Sequence, residues 1–394
     1  MLIIRDTEAL SALCDRLRRE PYITVDTEFL REKTYWPILC LIQAAGQEDQ
    51  AIIDPLAEGI DLAPLFELMA DPAVLKVFHA ARQDLEIFFH LAGAVPAPIF
   101  DTQIAAMVCG FGESVGYETL VREIMGAQLD KSSRFTDWSK RPLTDKQLNY
   151  ALSDVTHLRG IYERLAKDLE DAGRAGWLTE EMAVLEARET YVTEPEDAWK
   201  RLKLRNIKPK SLGTAIAVAA WREREAQTRD IPRGRVLKDD GIYELAQQAP
   251  RSHEDLSRLR GAPRGLANSK PGERLIAAIA EGLATPRENL PKIERGGRTA
   301  APPQGVVELL KVLLKAECER HNVATKMVAS AADIEALALS DTADIPALAG
   351  WRREIFGEAA LRLKRGELSL RIKNGEIEIE GDESARRVAP NLTE

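Results

Sequence analysis

Cysteine is scarce in this 394-residue chain. The four present, Cys14, Cys40, Cys109 and Cys318, lie far apart and form no C-x-x-C pair. That argues against a disulfide framework and a cysteine zinc site, and it suits a reducing compartment. Long apolar runs are missing too. No stretch of eighteen apolar residues exists, so a membrane-spanning helix is not expected. The five histidines, His79, His90, His157, His253 and His321, show no zinc spacing. There is no G-x-x-x-x-G-K-[ST] loop, which excludes P-loop helicase chemistry. Gly110-Phe-Gly112 followed by Gly116 has the wrong spacing for a dinucleotide loop. The first ten residues, Met1 to Leu10, run into acidic residues and lack the order of a signal peptide. The expectation is a cytoplasmic protein with no membrane contact.

What the chain has is ordinary apolar content, 45% hydrophobic residues, enough for two or three cores. Its charge is unevenly placed. Residues 1–192 carry 19 Lys and Arg against 32 Asp and Glu, while residues 193–300 carry 22 against 15. Residues 301–394 carry 13 against 16. A net charge of -9 thus hides an acidic front and a basic middle. A basic module suits a phosphate backbone. An acidic one suits metal cations or is a solvated surface.

The front alternates strand-like and helix-like patterns. Leu2–Arg5 is a short apolar start and Thr7–Glu20 has helical spacing. Tyr22–Phe29, Tyr35–Ala45 and Gln50–Asp54 are consecutive apolar runs with short gaps, which predict an antiparallel meander. Helices are expected at Leu62–Ala70 and Ala81–Leu91, with a buried strand at Val74–Phe78 between them. Beyond Asp101 the pattern is mostly helical to about Leu185. The predicted fold is a mixed sheet flanked by helices. Residues 193–285 read as all-α, 286–303 as a proline- and glycine-rich linker, and 304–370 as helical again. Trp351-Arg-Arg-Glu354 echoes Trp221-Arg-Glu-Arg224, which suggests a diverged duplicate. Alternation on both sides of Asn374-Gly375 predicts a hairpin in the 371–394 tail.

Three spots in the front could carry chemistry. Asp26-Thr-Glu28 lies in a β-rich run, so both carboxylates share one face with Cα atoms roughly 6.6 Å apart. Two acids in a buried strand are costly unless a cation compensates them. Asp84 sits in the first turns of a helix that follows a strand. Tyr150 and Asp154 are four apart on a helix, hence on one face. Alone, each also suits a plain reading: a solvated strand end, a favourable helix-start acid, a half-buried helix face. Together, four acids could hold two divalent ions roughly 3.5–4 Å apart, flanking a phosphodiester. Oxygen ligands suit Mg²⁺ or Mn²⁺. Tyr150 would then orient the attacking water.

Asp26-x-Glu28, Asp84 and Tyr150-x-x-x-Asp154 resemble the DEDDy 3′→5′ exonuclease signature, and more closely that of the bacterial ribonuclease D family. Val25–Phe29, Val77–Ala80, Phe100–Gln103 and Arg141–Leu143 support the likeness. Ala220–Arg224 and Asp230–Asp239 resemble a first HRDC domain, and residues 304–370 more weakly a second. The resemblance implies a ribonuclease-H-like domain over 1–192 and HRDC-type all-α domains over 193–285 and 304–370. It implies a two-metal exoribonuclease that trims tRNA precursors and other small structured RNAs, releasing nucleoside 5′-monophosphates. It makes Asp26, Glu28, Asp84 and Asp154 metal ligands and Tyr150 the water-positioning residue. A monomer with no obligate protein partner is expected.

Further residues could meet RNA. Phe29 could stack on the terminal base or belong to the core. His79 ends an apolar strand near Asp84. Arg134, Trp138 and Arg141 precede the Tyr150 helix, with packing the favoured role for Trp138. Lys203 and Arg205 belong to a dense basic run suited to the phosphate backbone. The acids alone do not separate RNA from DNA, nor a catalyst from a binding module. Parallel digestion of matched RNA and DNA would.

Overall fold

The computed structural model describes residues 2–130, 136–204, 207–292 and 301–381. Six strands form the centre of the first domain: β1 (Leu2–Ile4), β2 (Tyr22–Leu30), β3 (Ile38–Ala45), β4 (Gln50–Ile53), β5 (Leu75–Phe78) and β6 (Ile99–Asp101). Their order across the sheet is β1-β4-β3-β2-β5-β6. β2, β3 and β4 pair antiparallel, as their consecutive apolar runs predict. β1, β5 and β6 add parallel, so the sheet is mixed. β6 is only three residues long, too short for a periodicity signal.

Parallel neighbours need crossovers, and helices supply them. α1 (Thr7–Leu17), α2 (Ala63–Ala70) and α3 (Arg82–Ala92) set Leu10, Leu13, Leu65, Leu68, Leu85 and Phe88 into one core with the sheet residues Ile23, Val25, Ile42 and Ala44. α4 (Thr102–Val108) and α5 (Tyr117–Leu120) follow. α6 (Asp145–Asp171) begins with a Thr144/Gln147 capping box. At 27 residues it is about 40 Å long. Its first half sets Leu148 and Ala151 against Leu41 and Ile52 on the opposite sheet face. That face also bears Asp26 and Glu28, because residues two apart on β2 point the same way.

One lysine is buried in this sheet. Lys76 has no solvent exposure, and its Nζ donates to the carbonyls of Asp71 (2.8 Å), Val74 (2.8 Å) and Ala97 (2.5 Å). Burial pulls its pKa down to about 8. Three converging acceptors match the three donors of an ammonium, so the charged form is the better fit to the geometry.

After α7 (Thr179–Glu186) the chain builds a separate helical core from α8 (Leu212–Thr228), α9 (Arg233–Val236), α10 (Asp239–Gln248), α11 (His253–Ser257) and α12 (Lys270–Ala284). Val218, Trp221, Ile242, Leu245, Leu275 and Ile279 fill it. α8 and α12 touch at two glycines. A Cβ on Gly213 would sit 2.3 Å from the Gly282 carbonyl oxygen, so only glycine allows this approach.

The segment after β2 crosses to this helical domain. The Tyr35 hydroxyl donates to Glu223, and accepts from Arg233 Nη2 (2.7 Å) and Gln227 Nε2 (3.2 Å). Asp230 Oδ1 accepts from the backbone N–H groups of Tyr35 (3.0 Å) and Trp36 (2.9 Å). Trp36 stacks on His90 of α3, with ring centroids 4.2 Å apart.

The last third is helical, as expected, and it also meets the first domain. α13 (Gln304–His321), α14 (Thr325–Val328) and α15 (Ala331–Leu339) pack chiefly on one another and on the helical segment that follows them, and their core joins that of the first domain at a junction. Val307, Leu310, Leu337 and Phe356 belong to the same core as the first domain. Ala324 N–H donates to the Met107 carbonyl at 2.8 Å. Trp351 stacks on Trp177 with centroids 4.4 Å apart, and Arg352 pairs with Glu180 (2.5 Å) and Glu181. Trp221, by contrast, is internal to its own domain and donates from Nε1 to the Pro271 carbonyl. The two Trp-Arg segments therefore face different surroundings, one a junction and one a core. The expected linker falls partly on 293–300, outside the described residues. β7 (Ser369–Lys373) and β8 (Glu376–Glu380) form the expected hairpin, two residues earlier than predicted. Positive φ at Asn374 (53°) and Gly375 (86°) is what a type I′ turn requires. Among the described residues no helix is long and apolar enough to cross a membrane.

Candidate active site

β2 delivers the first two acids. The β2–β3 register slips between Glu28 and Phe29. Strict alternation would turn Phe29 away from Glu28. The extra residue of that slip is Cys40 on β3, so β2 keeps its alternation; Asp26, Glu28 and Phe29 all border one cleft of about 690 Å³, and Phe29 also packs against the first-domain core. From α6, Tyr150 and Asp154 line the same cleft. Carboxylate oxygens of Asp26, Glu28 and Asp154 all lie within 4.8 Å of one another.

Asp84 arrives from the other side. It sits in the first turn of α3, which covers the opposite sheet face, and is 6% exposed. It accepts a hydrogen bond from the hydroxyl of Thr27, whose side chain points away from those of Asp26 and Glu28. It stands beside the three clustered acids and still acts on them electrostatically.

These carboxylates are held above their ordinary range. Burial pushes Asp26 up to about 8, with Asp154 adding to it. Burial also pushes Glu28 up to about 9, helped by Asp26, Asp154 and Asp84. Asp84 is raised by burial and by Asp26. The charges acting on Glu28 are all anionic, so the set asks for a cation. The donors are all carboxylate oxygens, the ligand type of hard divalent ions. Asp26, Glu28, Asp154 and Asp84 thus fit divalent metal binding.

The cleft walls are partly apolar and partly polar. His79 lies on one wall, with Nδ1 3.0 Å from the Thr102 hydroxyl oxygen and its ring beside Tyr117. Burial lowers its pKa to about 4, so it is neutral at pH 7. Ala80, in the left-handed region at φ 58°, follows it. Asp101 holds that turn by accepting from the N–H groups of Ala80 (3.0 Å) and Ala81 (2.8 Å). Tyr117 lines the cleft and donates to the Asp154 carbonyl at 2.6 Å, which ties α6 to the wall. Burial raises its hydroxyl pKa strongly.

Sequence reasoning did not assign roles to Thr27, Asp101 or Tyr117. Phe100-Asp-Thr-Gln103 carried a signal for Asp101. Tyr117 carried none. Trp138 is 2% exposed and its ring lies 6.1 Å from that of Tyr150, which makes it packing.

Two expected substrate contacts lie elsewhere. Arg141 is bonded internally: Nε and Nη2 donate to Asp54 (2.8 and 2.6 Å), Nη1 to the carbonyls of Trp138 (2.7 Å) and Lys140 (2.9 Å), and Nη2 to that of Cys40 (2.7 Å). All five of its N–H donors are used, leaving none for a phosphate. Lys203 is exposed on the helical domain, outside the cleft, and its backbone N–H donates to the Tyr243 hydroxyl at 3.0 Å. Arg205 and Arg134 lie outside the described residues.

Residues 1–170 match the family model described as 3′-5′ exonuclease, and residues 213–279 match the HRDC domain model. The chain is 53% identical to Ribonuclease D of Nitrobacter hamburgensis over 366 residues, 93% of this chain and 96% of that one. It is 53% identical to Ribonuclease D of Acidiphilium cryptum over 378 residues, 96% of each chain. Among solved structures it resembles Escherichia coli RNase D, described as an exoribonuclease involved in structured RNA processing. The TM-score is 0.80 at 32% identity, covering 92% of this chain and 98% of that one.

Proposed function

Since the chain belongs to the ribonuclease D family, a 3′→5′ exoribonuclease group, we propose that its cleft trims the 3′ ends of tRNA precursors and other small structured RNAs. Nucleoside 5′-monophosphates are the product. The observation that carries this reading is the convergence of Asp26, Glu28 and Asp154 oxygens within 4.8 Å, in a cleft also lined by Tyr150.

Asp26, Glu28, Asp154 and Asp84 would hold two divalent ions, Mg²⁺ or Mn²⁺. Such ions lower the pKa of a water and neutralise charge developing on the phosphate. The chain's own groups do the rest. Tyr150 orients the water that attacks the last phosphodiester phosphorus. The bond from that phosphorus to the 3′ oxygen of the penultimate nucleotide breaks, and that oxygen takes up a proton. Phe29 stacks against the terminal base, and neutral His79 lines the wall it lies against. Lys203 and Arg205 serve the RNA backbone from the helical domain. Cytoplasmic location and a monomer complete the proposal; four free cysteines support the reducing compartment.

The test is a time course on a 5′-labelled RNA with a single-stranded 3′ tail, run with Mg²⁺, with Mn²⁺ and with EDTA. A DNA of the same sequence runs in parallel. A metal-dependent ladder shortening from the 3′ end, faster on RNA, is expected. Equal or faster loss of DNA would move the assignment to repair. Binding without shortening under either metal would refute catalysis.

A further inference from the structure

β3 carries a buried amide that the chemistry proposed above does not use. Gln43 has no solvent exposure, and neither its Nε2 nor its Oε1 has a hydrogen-bond partner among the described residues. A buried donor and acceptor left unmade are costly. An amide kept in such a place points to a partner that it can gain.

The register of the sheet says what that partner is. Asp26 of β2 lies directly across from Gln43 on one side, and Ile52 of β4 on the other. Paired residues of antiparallel strands project to the same face, with Cβ atoms about 4.5–5.5 Å apart. Along β3 the neighbours on that face are Leu41 and Ala45. α6 packs over Leu41 and Ile52 through Leu148 and Ala151. Of these residues Asp26 alone carries a polar side chain. Thr24, diagonal to Gln43, directs its hydroxyl to the carbonyls of Val155 (2.8 Å) and Ala45 (3.3 Å). The acceptor directly opposite the amide is therefore the Asp26 carboxylate. One of its oxygens joins the cluster with Glu28 and Asp154. A carboxylate offers about four lone-pair sites, so it can accept from an amide while it ligates an ion.

We propose that Gln43 is a positioning residue for Asp26: its Nε2 donates to the Asp26 carboxylate when that carboxylate holds a divalent ion. The inference rests on the metal-dependent reading of the cleft and deepens it. A hydrogen bond to a ligating carboxylate fixes its orientation and is worth about 10–100-fold in metal affinity. A neutral amide does this without a competing charge. A lysine or arginine in its place would pair with Asp26 and repel the ion. β3 is bonded along both edges, so the amide is carried by rigid backbone. The metal-free chain bears the cost of the open amide, and the loaded chain recovers it.

The test uses the full chain with Gln43→Met and Gln43→Asn. Methionine keeps the length and removes both polar atoms. Asparagine keeps the amide, withdraws it by one methylene, and reads the same loss if methionine prevents folding. Mn²⁺ binding is followed by the electron paramagnetic resonance signal of the free ion, and thermal melting is measured in EDTA. Gln43→Met should bind Mn²⁺ about tenfold more weakly. Its melting temperature in EDTA should stay level or rise, because an apolar group has replaced an open amide. Gln43→Asn should also weaken Mn²⁺ binding, without the gain in EDTA. On an Asp26→Asn background, Gln43→Met should leave the residual Mn²⁺ affinity unchanged, because the group it serves is gone. RNA shortening by Gln43→Met should need about tenfold more Mg²⁺ to reach half its full rate. Wild-type Mn²⁺ affinity in Gln43→Met, with a lower melting temperature in EDTA, would overturn the proposal and make the amide part of the core. An equal loss of affinity on the Asp26→Asn background would overturn it as well. A wild-type chain that binds Mn²⁺ with this dependence on Gln43 but leaves RNA intact would defeat the exoribonuclease reading and leave the positioning role standing.

Discussion

Replacing Arg141 with methionine separates a structural arginine from a substrate-binding one. The sequence places Arg141 just before the Tyr150 helix, where a cation could meet RNA. The structure instead closes its whole fork on Asp54 and three carbonyls. Asp54 is 5% exposed, and its other cation, Arg5, lies 3.9 Å away on a side chain that is 61% exposed. Methionine would leave Asp54 buried and nearly unpaired. Removing one partner of a buried pair costs about 3–5 kcal/mol. At roughly 2–4 °C per kcal/mol, the melting temperature should fall by about 6–20 °C. Below that melting temperature, affinity for a 3′-tailed RNA should match the wild type. Adding Asp54→Leu should restore part of the stability, because both charges are then gone. Thermal melting by circular dichroism and RNA binding at low temperature read the two quantities separately. An unchanged melting temperature together with weakened RNA binding would refute the reasoning and return Arg141 to the substrate.

Asp154→Asn should lower RNA shortening at least about a hundredfold, and Mg²⁺ should raise the melting temperature of the wild type but not of this variant. Equal melting with Mg²⁺ and EDTA in the wild type would contradict a preformed metal site. His79 titrates near 4 when folded and at 6.5 ordinarily, so the unfolded chain binds the extra proton between those values and stability falls as pH drops through that window. His79→Gln should remove up to about 3 kcal/mol of that acid loss, seen as a flatter plot of melting temperature against pH between 6.5 and 4; an unchanged slope would show that the imidazole is not held neutral. Lys76→Met should cost about 3 kcal/mol by stranding three carbonyls. A gain in denaturant midpoint would mean that burial of the amine outweighs its hydrogen bonds.

Much of the candidate site was legible because it is local. Asp26 and Glu28 obey the two-residue repeat of a strand, and Tyr150 and Asp154 obey the four-residue spacing of a helix. The meander was legible because β2, β3 and β4 follow one another with short gaps. What was not legible depends on contacts far apart in sequence. The Arg141–Asp54 pair spans 87 residues and leaves no pattern. The bulge at Cys40 of β3, opposite Glu28 and Phe29, is a one-residue slip that composition does not record. Asp84 could be placed at a helix start, but not on the Thr27 side of the sheet. In the last third, apolar spacing announced helices without saying which surface they cover. They cover mostly one another and meet the first domain at a junction that holds Trp351, so Trp351 resembles Trp221 in its neighbours along the chain and not in its surroundings.

The return of the last third has a topological consequence. Residues 304–361 are joined to the first domain by the Ala324–Met107 hydrogen bond, by the Arg352 pairs with Glu180 and Glu181 and by the Trp177–Trp351 stack. The helical domain between them is therefore tied at both of its ends to one body, and clasped in addition at Tyr35. It is an inserted loop of structure and not a bead on a free tether. A single broken contact leaves it held near the cleft at a high effective concentration. Wide swinging would require releasing two anchors together. The distance between the cleft and the helical domain is then nearly fixed, and it becomes a ruler for the length of strand the two can hold at once.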